Sequence, residues 1–168
     1  PFTAATGRTW RMSAAARVAA IDTLRGALRP VADHAAERGV TLAIEPLNRY
    51  ETSLINTVDQ ALDALAPLLG DGVGLALDSY HLNIEERSPA VAIRAAGKHV
   101  HVFQDCGNDR GPAGPDHTDW AATLDALDGA DDSGPLALEG FPGDNDTIAT
   151  AASIWRPLAD SPDELARI

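Results

Sequence analysis

Four apolar runs in this chain each end in a polar side chain, and that pattern constrains the fold more than any other feature. Val40 to Ile44 closes on Glu45, Gly72 to Leu77 on Asp78, His99 to Phe103 on Gln104, and Pro135 to Leu138 on Glu139. Each run has the length and branched apolar content of a buried strand. The closing residues lie 33, 26 and 35 positions apart, room for one helix between successive strands, which is the rhythm of parallel βα units. An ionised carboxylate at the end of a buried strand is costly unless something compensates it. Four such ends in phase predict one shared compensator, a divalent cation at the mouth of a parallel barrel.

The intervening segments carry the expected helix signals. Ser13 is an N-cap for a helix bearing Ala16, Val18, Ile21, Leu24 and Leu28, which Pro30 kinks or restarts and Gly39 ends. Thr57 caps a second helix through Val58, Ala61, Leu62, Leu65 and Leu68. Ser88-Pro89 opens a third that Gly97 breaks, Asp119-Trp120 opens a fourth, and a last one is expected over about 146–158. Ser161-Pro-Asp-Glu164 reads as a capping box. Residues 1–12, with Gly7, Arg8 and Arg11, read as a loop. So do 46–56, 79–86 and the Gly/Pro-rich stretch from Asp105 to His117. Long polar loops after strands are where function concentrates.

The fold class is α/β, of the TIM-barrel (β/α)8 type, with residues 1–168 as a single domain supplying about four βα units. A full barrel needs about 250 residues. Half a barrel leaves open sheet edges and an uncovered inner face, so an N-terminal half is missing from this chain or another chain, in a homo-oligomer for instance, supplies it. The chain begins with Pro1 rather than Met, which suits a fragment or a processed product.

A formal net charge of −12 argues against nucleic acid and anionic membrane, which reward positive charge, and suits a small neutral substrate or a cation. Lys98 is the sole lysine and stands at a strand start, a poor place for Schiff-base chemistry. The lone Cys106 excludes an internal disulfide and agrees with a cytoplasmic setting. No apolar run approaches a membrane span. Of the histidines, His34 is expected to be solvated, His99 packed against the barrel, and His117 part of a loop, as scaffold or as active-site rim. Trp120 and Trp155 are expected to anchor helices in the core.

Functional groups in such barrels gather where strands end. Glu45, Asp78 and Glu139 with Gln104 or His101 form an oxygen-rich set suited to Mn2+, Mg2+ or Co2+. A Gln oxygen ligates hard ions as a neutral donor. His101 and Gln104 are an odd number apart, so a regular strand cannot aim both inward.

The segments Glu45-Pro-Leu-Asn-Arg-Tyr-Glu51, Leu54-Ile-Asn-Thr, Asp78-Ser-Tyr-His81-Leu-Asn-Ile-Glu-Glu, Asn108-Asp-Arg110-Gly-Pro-Ala-Gly, Leu138-Glu139-Gly-Phe and Ser153-Ile-Trp-Arg-Pro-Leu resemble the xylose isomerase-like sugar isomerase/epimerase barrels. Within them the likeness is to the ketose 3-epimerases of the D-tagatose and D-psicose type, and to their second half, strands five to eight. The resemblance implies a metal-dependent isomerase, with Mn2+ foremost, held by Glu45, Asp78, the third-strand ligand and Glu139. It also implies C3 epimerisation of a ketose through a cis-enediolate, with Glu45 and Glu139 exchanging the proton and Glu51, His81 and Arg110 binding the sugar. The family usually has His where Gln104 stands. The alternatives are aldose-ketose or hydroxypyruvate-type isomerisation on the same site, and a non-catalytic sugar-binding half-barrel.

Overall fold

The computed structural model describes residues 2–4, 11–70, 72–130, 134–141, 143 and 145–165. Gly7 and Arg8 of the expected N-terminal loop, and Asp71 of the turn into the second run, lie outside them. Five parallel strands, β1 (Phe2–Ala4), β2 (Leu42–Ile44), β3 (Val73–Asp78), β4 (Val100–Asp105) and β5 (Leu136–Leu138), lie side by side in chain order. The first strand falls where a loop is expected. Three residues are too short to show a period, and only pairing with Leu42 to Ile44 defines them.

Helices α1 (Ala14–Ala36), α2 (Val58–Leu65), α3 (Ser79–Glu85), α4 (Pro89–Ala96) and α5 (Trp120–Asp128) follow or separate these strands, then α6 (Asp146–Ala152) and α7 (Pro162–Leu165). The cap residues act as expected: Ser13, Thr57, Ser88 and Asp119 each accept a first-turn main-chain N–H. Pro30 sits inside a continuous α1, so the helix does not restart there. Two expectations fail. The segment after Asp78 is helix α3 rather than loop, because the Asp78 carboxylate accepts the Tyr80 N–H at 2.8 Å and starts a turn. And α6 stops at Ser153, whose left-handed φ of 58° lets the Ile154 N–H close back on Ala149. Trp155 therefore lies beyond the helix and is 85% exposed rather than a core anchor, whereas Trp120 packs against the core as expected.

The two faces of the sheet differ in side-chain size. Leu42, Ile44, Val73, Leu75, Leu77, Val100 and Phe103 join the helices in the main core. The opposite, barrel-side face carries Ala43, Ala76, Val102 and Ala137, small side chains suited to the tight inside of a curved sheet. Asp78 shares the face of Gly74 and Ala76 by strand alternation.

Strand β4 is not regular. Leu75 pairs with Val100 but Ala76 pairs with Val102, leaving His101 as an extra residue, a bulge. The bulge overturns the parity argument, since it turns both His101 and Gln104 to the barrel side. Their heights still separate them. The His101 ring lies where a Cβ on Gly74 would be, 1.6 Å from its Cδ2, whereas Gln104 pairs with Asp78, four residues or roughly 13 Å further along at about 3.3 Å per residue.

Candidate functional site

The β2–α2 loop is held at several points, which gives the mouth a fixed wall. Asn56 Nδ2 donates to the carbonyls of Leu47 and Thr52 at 2.7 and 2.9 Å. Arg49 and its own main-chain N–H grip Glu85 of α3 at 2.6 to 3.0 Å, and Glu86 accepts the Val58 N–H at the start of α2. Glu45, directly after β2, is thereby set opposite the first turn of α3.

At this mouth the acidic residues converge. One ligand atom each from Glu45, Asp78 and His81 lie within 4.8 Å of one another, and all three side chains are buried. His81 Nε2 is 3.6 Å from Glu45 Oε1 and 3.7 Å from Asp78 Oδ2. The spacing of three between Asp78 and His81 places the ring over the aspartate because α3 begins there. Glu139, after β5, joins through two partners: Gln104 Nε2 donates to its Oε2 at 2.7 Å, and Arg110 Nη1 lies 3.5 Å from the same oxygen. His101 is not among them.

Arg110 ties the cluster together. Its Nη1 is 2.5 Å from Asp78 Oδ2 and its Nη2 3.2 Å from His81 Nε2. The guanidinium lies over the rings of Tyr80 and Phe141, its carbon 4.1 and 4.8 Å from the two centroids. The backbone of Arg110 is left-handed, φ 71°, a cost kept at a functional position when the surroundings enforce it. Here the turn does so, with its N–H bonded to the Gly107 carbonyl and its carbonyl accepting from Phe141. Sequence reasoning missed both rings, although each is the aromatic inside a singled-out motif, Asp78-Ser-Tyr-His81 and Leu138-Glu139-Gly-Phe.

Burial and crowding set the charges. Burial, then the Asp78 charge, push the Glu45 carboxyl up to about 7. Burial, then a hydrogen bond with Asp78 and its charge, push Glu139 up to about 8. Burial lowers His81 below its ordinary value, which keeps the ring neutral. Burial works against the charge on Arg110, but Asp78 outweighs it and the pKa rises. Cys106, buried beside Asp78, is pushed up to about 12, mainly by burial. It is a buried, protonated thiol.

Of the other singled-out residues, Glu51 stands one step back, accepting from Asn48 Nδ2 at 3.1 Å. His117 contacts Asn83 Oδ1 at 2.9 Å on the surface, His34 is exposed beside Arg38, and His99 is half-buried before β4.

The donor set fits a divalent cation. Glu45, Asp78 and Glu139 offer carboxylate oxygens. Gln104 points its amide nitrogen at Glu139, and its Oε1 is buried with no hydrogen-bond partner, an orphan acceptor of the kind that marks an ion's place. Burial is the main cause of the raised Glu45 and Glu139 carboxyls, and the neighbouring Asp78 adds to it.

Parallel strands with helices on one face and buried carboxylates gathered where the strands end are the build of part of an α/β barrel of the TIM type. Residues 2–158 match the family described as Xylose isomerase-like TIM barrel, and the chain belongs to it. It is 33% identical over 144 residues to a probable ketose 3-epimerase of Synechocystis sp., covering 86% of this chain and 50% of that one. It is 38% identical over 137 residues to an L-ribulose 3-epimerase of Mesorhizobium japonicum, covering 79% and 45%. The crystal structure of a D-allulose 3-epimerase from Methylomonas sp. superposes with a TM-score of 0.83 at 31% identity, over 95% of this chain and 56% of that one. The chain thus spans about half the length of the curated relatives it matches. No helix among the described residues is long and apolar enough to cross a membrane.

Proposed function

We propose that this chain carries the catalytic mouth of a divalent-metal-dependent epimerase that acts at C3 of a ketose. The observation that carries the reading is the pair Glu45 and Glu139. They follow the second and fifth strands of the sheet, so they flank the mouth from its two sides, and both carboxyls are raised to about 7 and about 8, where a group both takes and gives protons efficiently at neutral pH.

Glu45, Asp78, Gln104 and Glu139 would hold the ion, with Mn2+ the foremost candidate and Mg2+ or Co2+ as substitutes. The bound ion supplies a Lewis acid that polarises the ketose carbonyl and offsets the charge that develops on its oxygens. One glutamate removes the C3 proton, and the other delivers a proton to the opposite face of the planar cis-enediolate. His81 and Arg110 donate hydrogen bonds to the sugar's oxygens near the reacting carbons, and Glu51 accepts from a hydroxyl further out. The Tyr80 and Phe141 rings hold the guanidinium plane in register and keep water from one side. A complementary half-barrel supplies the pocket's far wall.

The names of the relatives support a ketose as substrate. Incubating the protein with Mn2+ and D-fructose, D-tagatose or L-ribulose and resolving the products tests the reading. It calls for C3 epimers. Aldoses as the only products would give the site to aldose-ketose isomerisation instead.

A further inference from the structure

His81 stands close enough to Glu45 and Asp78 to be counted with them as a third ligand, and the hydrogen bonds at its other nitrogen exclude that. The ring is buried, its hydrogen-bond partners among the described residues are donors, and the carboxylate oxygens of Glu45 and Asp78 stand 3.6 and 3.7 Å from Nε2. Nδ1 receives the Asn48 main-chain N–H at 3.1 Å and lies 2.9 Å from Asn48 Nδ2. The Asn48 amide cannot be turned over to offer its oxygen, because Oδ1 accepts the Tyr50 N–H at 2.9 Å and Nδ2 also donates to Glu51 Oε1 at 3.1 Å. At the far end, Nε2 lies 3.2 Å from Arg110 Nη2.

A neutral imidazole has one lone pair in the ring plane and one N–H, so donors at both ends compete for the lone pair. Nδ1 faces two, one of them a main-chain N–H in a pinned, buried loop that cannot rotate away. Nε2 faces one, at the tip of a long side chain. The lone pair therefore belongs at Nδ1, and the proton sits on Nε2 facing Glu45 Oε1 and Asp78 Oδ2. A histidine that ligates a metal through Nε2 needs the reverse arrangement, with Nδ1–H donated to an acceptor, and no acceptor stands there.

We infer that Asn48 is a positioning residue that fixes His81 as the Nε2–H tautomer, withholding it from the metal and committing it to donate a hydrogen bond to an oxygen of the bound sugar. This rests on the proposed metal-dependent sugar site for its purpose. The tautomer itself can be read without metal or turnover, so the two fail separately.

The experiment is nitrogen NMR of the protein labelled with 15N-histidine, in which the two ring nitrogens of each tautomer give distinct long-range correlations to the ring protons. Wild type is expected to show His81 with a protonated Nε2 and an unprotonated Nδ1. In Asn48→Asp, which keeps the oxygen facing Tyr50 N–H but turns an acceptor to the ring, the Nδ1–H tautomer is expected to gain population at the expense of Nε2–H, short of completely because the main-chain N–H of residue 48 still faces Nδ1. A Mn2+ titration of His81→Gln complements this: affinity is expected to stay within about threefold of wild type, whereas loss of a ligand or its direct support costs about 10- to 100-fold. A wild-type Nδ1–H pattern, a doubly protonated wild-type ring, an unchanged pattern in Asn48→Asp, or a tenfold or greater loss of Mn2+ affinity in His81→Gln would overturn the inference.

Discussion

Gln104 Nε2 donates to Glu139 Oε2 at 2.7 Å, and that single bond fixes which end of the amide is left for the proposed cation. With the nitrogen spent on Glu139, Oε1 is left buried without a partner. Isosteric loss of that oxygen is therefore expected to act on metal binding. Gln104→Leu should weaken Mn2+ binding by at least about tenfold, read by calorimetric titration, with little change in stability of the metal-free protein. Gln104→His should shift preference toward Co2+ and Ni2+, since imidazole suits those ions better than a carbonyl oxygen does.

Arg110 and Asp78 form a buried charged pair, each side chain less than a tenth exposed. Breaking it strands the aspartate, so Arg110→Ala should cost about 3 to 5 kcal/mol in denaturant unfolding. Arg110→Lys keeps the charge but loses the planar group over Tyr80 and Phe141 and the forked geometry. It should fall between the two and bind ketose more weakly.

The pH dependence follows from the raised glutamates. Their folded pKa values, about 7 and about 8, exceed the ordinary 4.5, so the folded state binds protons more tightly than the unfolded one. The stability they contribute is fully present below about pH 4.5 and is lost as pH rises through 7 and 8. In EDTA the melting temperature should decline from pH 5 to pH 9 on this account. Mn2+ competes with protons for the same oxygens, so it should raise the melting temperature most at the alkaline end. A metal-free protein that grows steadily more stable across that range would contradict the assignment.

Gly74 and His101 interlock at the other end of the barrel side. A Cβ on residue 74 would stand 1.6 Å from the imidazole, so Gly74→Ala should destabilise the protein by about 1 to 3 kcal/mol. The loss should shrink in a His101→Ala background, because the two sites share one space. Thermal denaturation of the four proteins in the cycle checks it.

Which parts of this were legible in the sequence follows from how local each signal is. The four strand ends at Glu45, Asp78, Gln104 and Glu139 stood out because a buried run closing on a polar residue needs no knowledge of its neighbours. Caps at Ser13, Thr57, Ser88 and Asp119 are equally local. Strand β1 was hidden because three residues become a strand only by pairing with β2. The His101 bulge was hidden too, since an extra residue in one strand is defined by its partner, and it undid the parity argument that set His101 against Gln104. Helix α3 was misread because the polar residues after Asp78 look like a loop until the aspartate caps them. Trp155 was misplaced because the left-handed turn at Ser153 carries no glycine to announce it. The aromatic clamp on Arg110 joins residues some 30 positions apart in either direction, which no spacing rule foresees.

The most direct test of the central claim is deuterium wash-in from D2O into a ketose, followed by NMR, with wild type and Glu139→Gln, each with Mn2+ and with EDTA. Label should enter C3 only in the wild type with Mn2+, and Glu139→Gln should lose it. Label entering C3 in EDTA, or equally in Glu139→Gln, would contradict a metal-assisted proton exchange between Glu45 and Glu139.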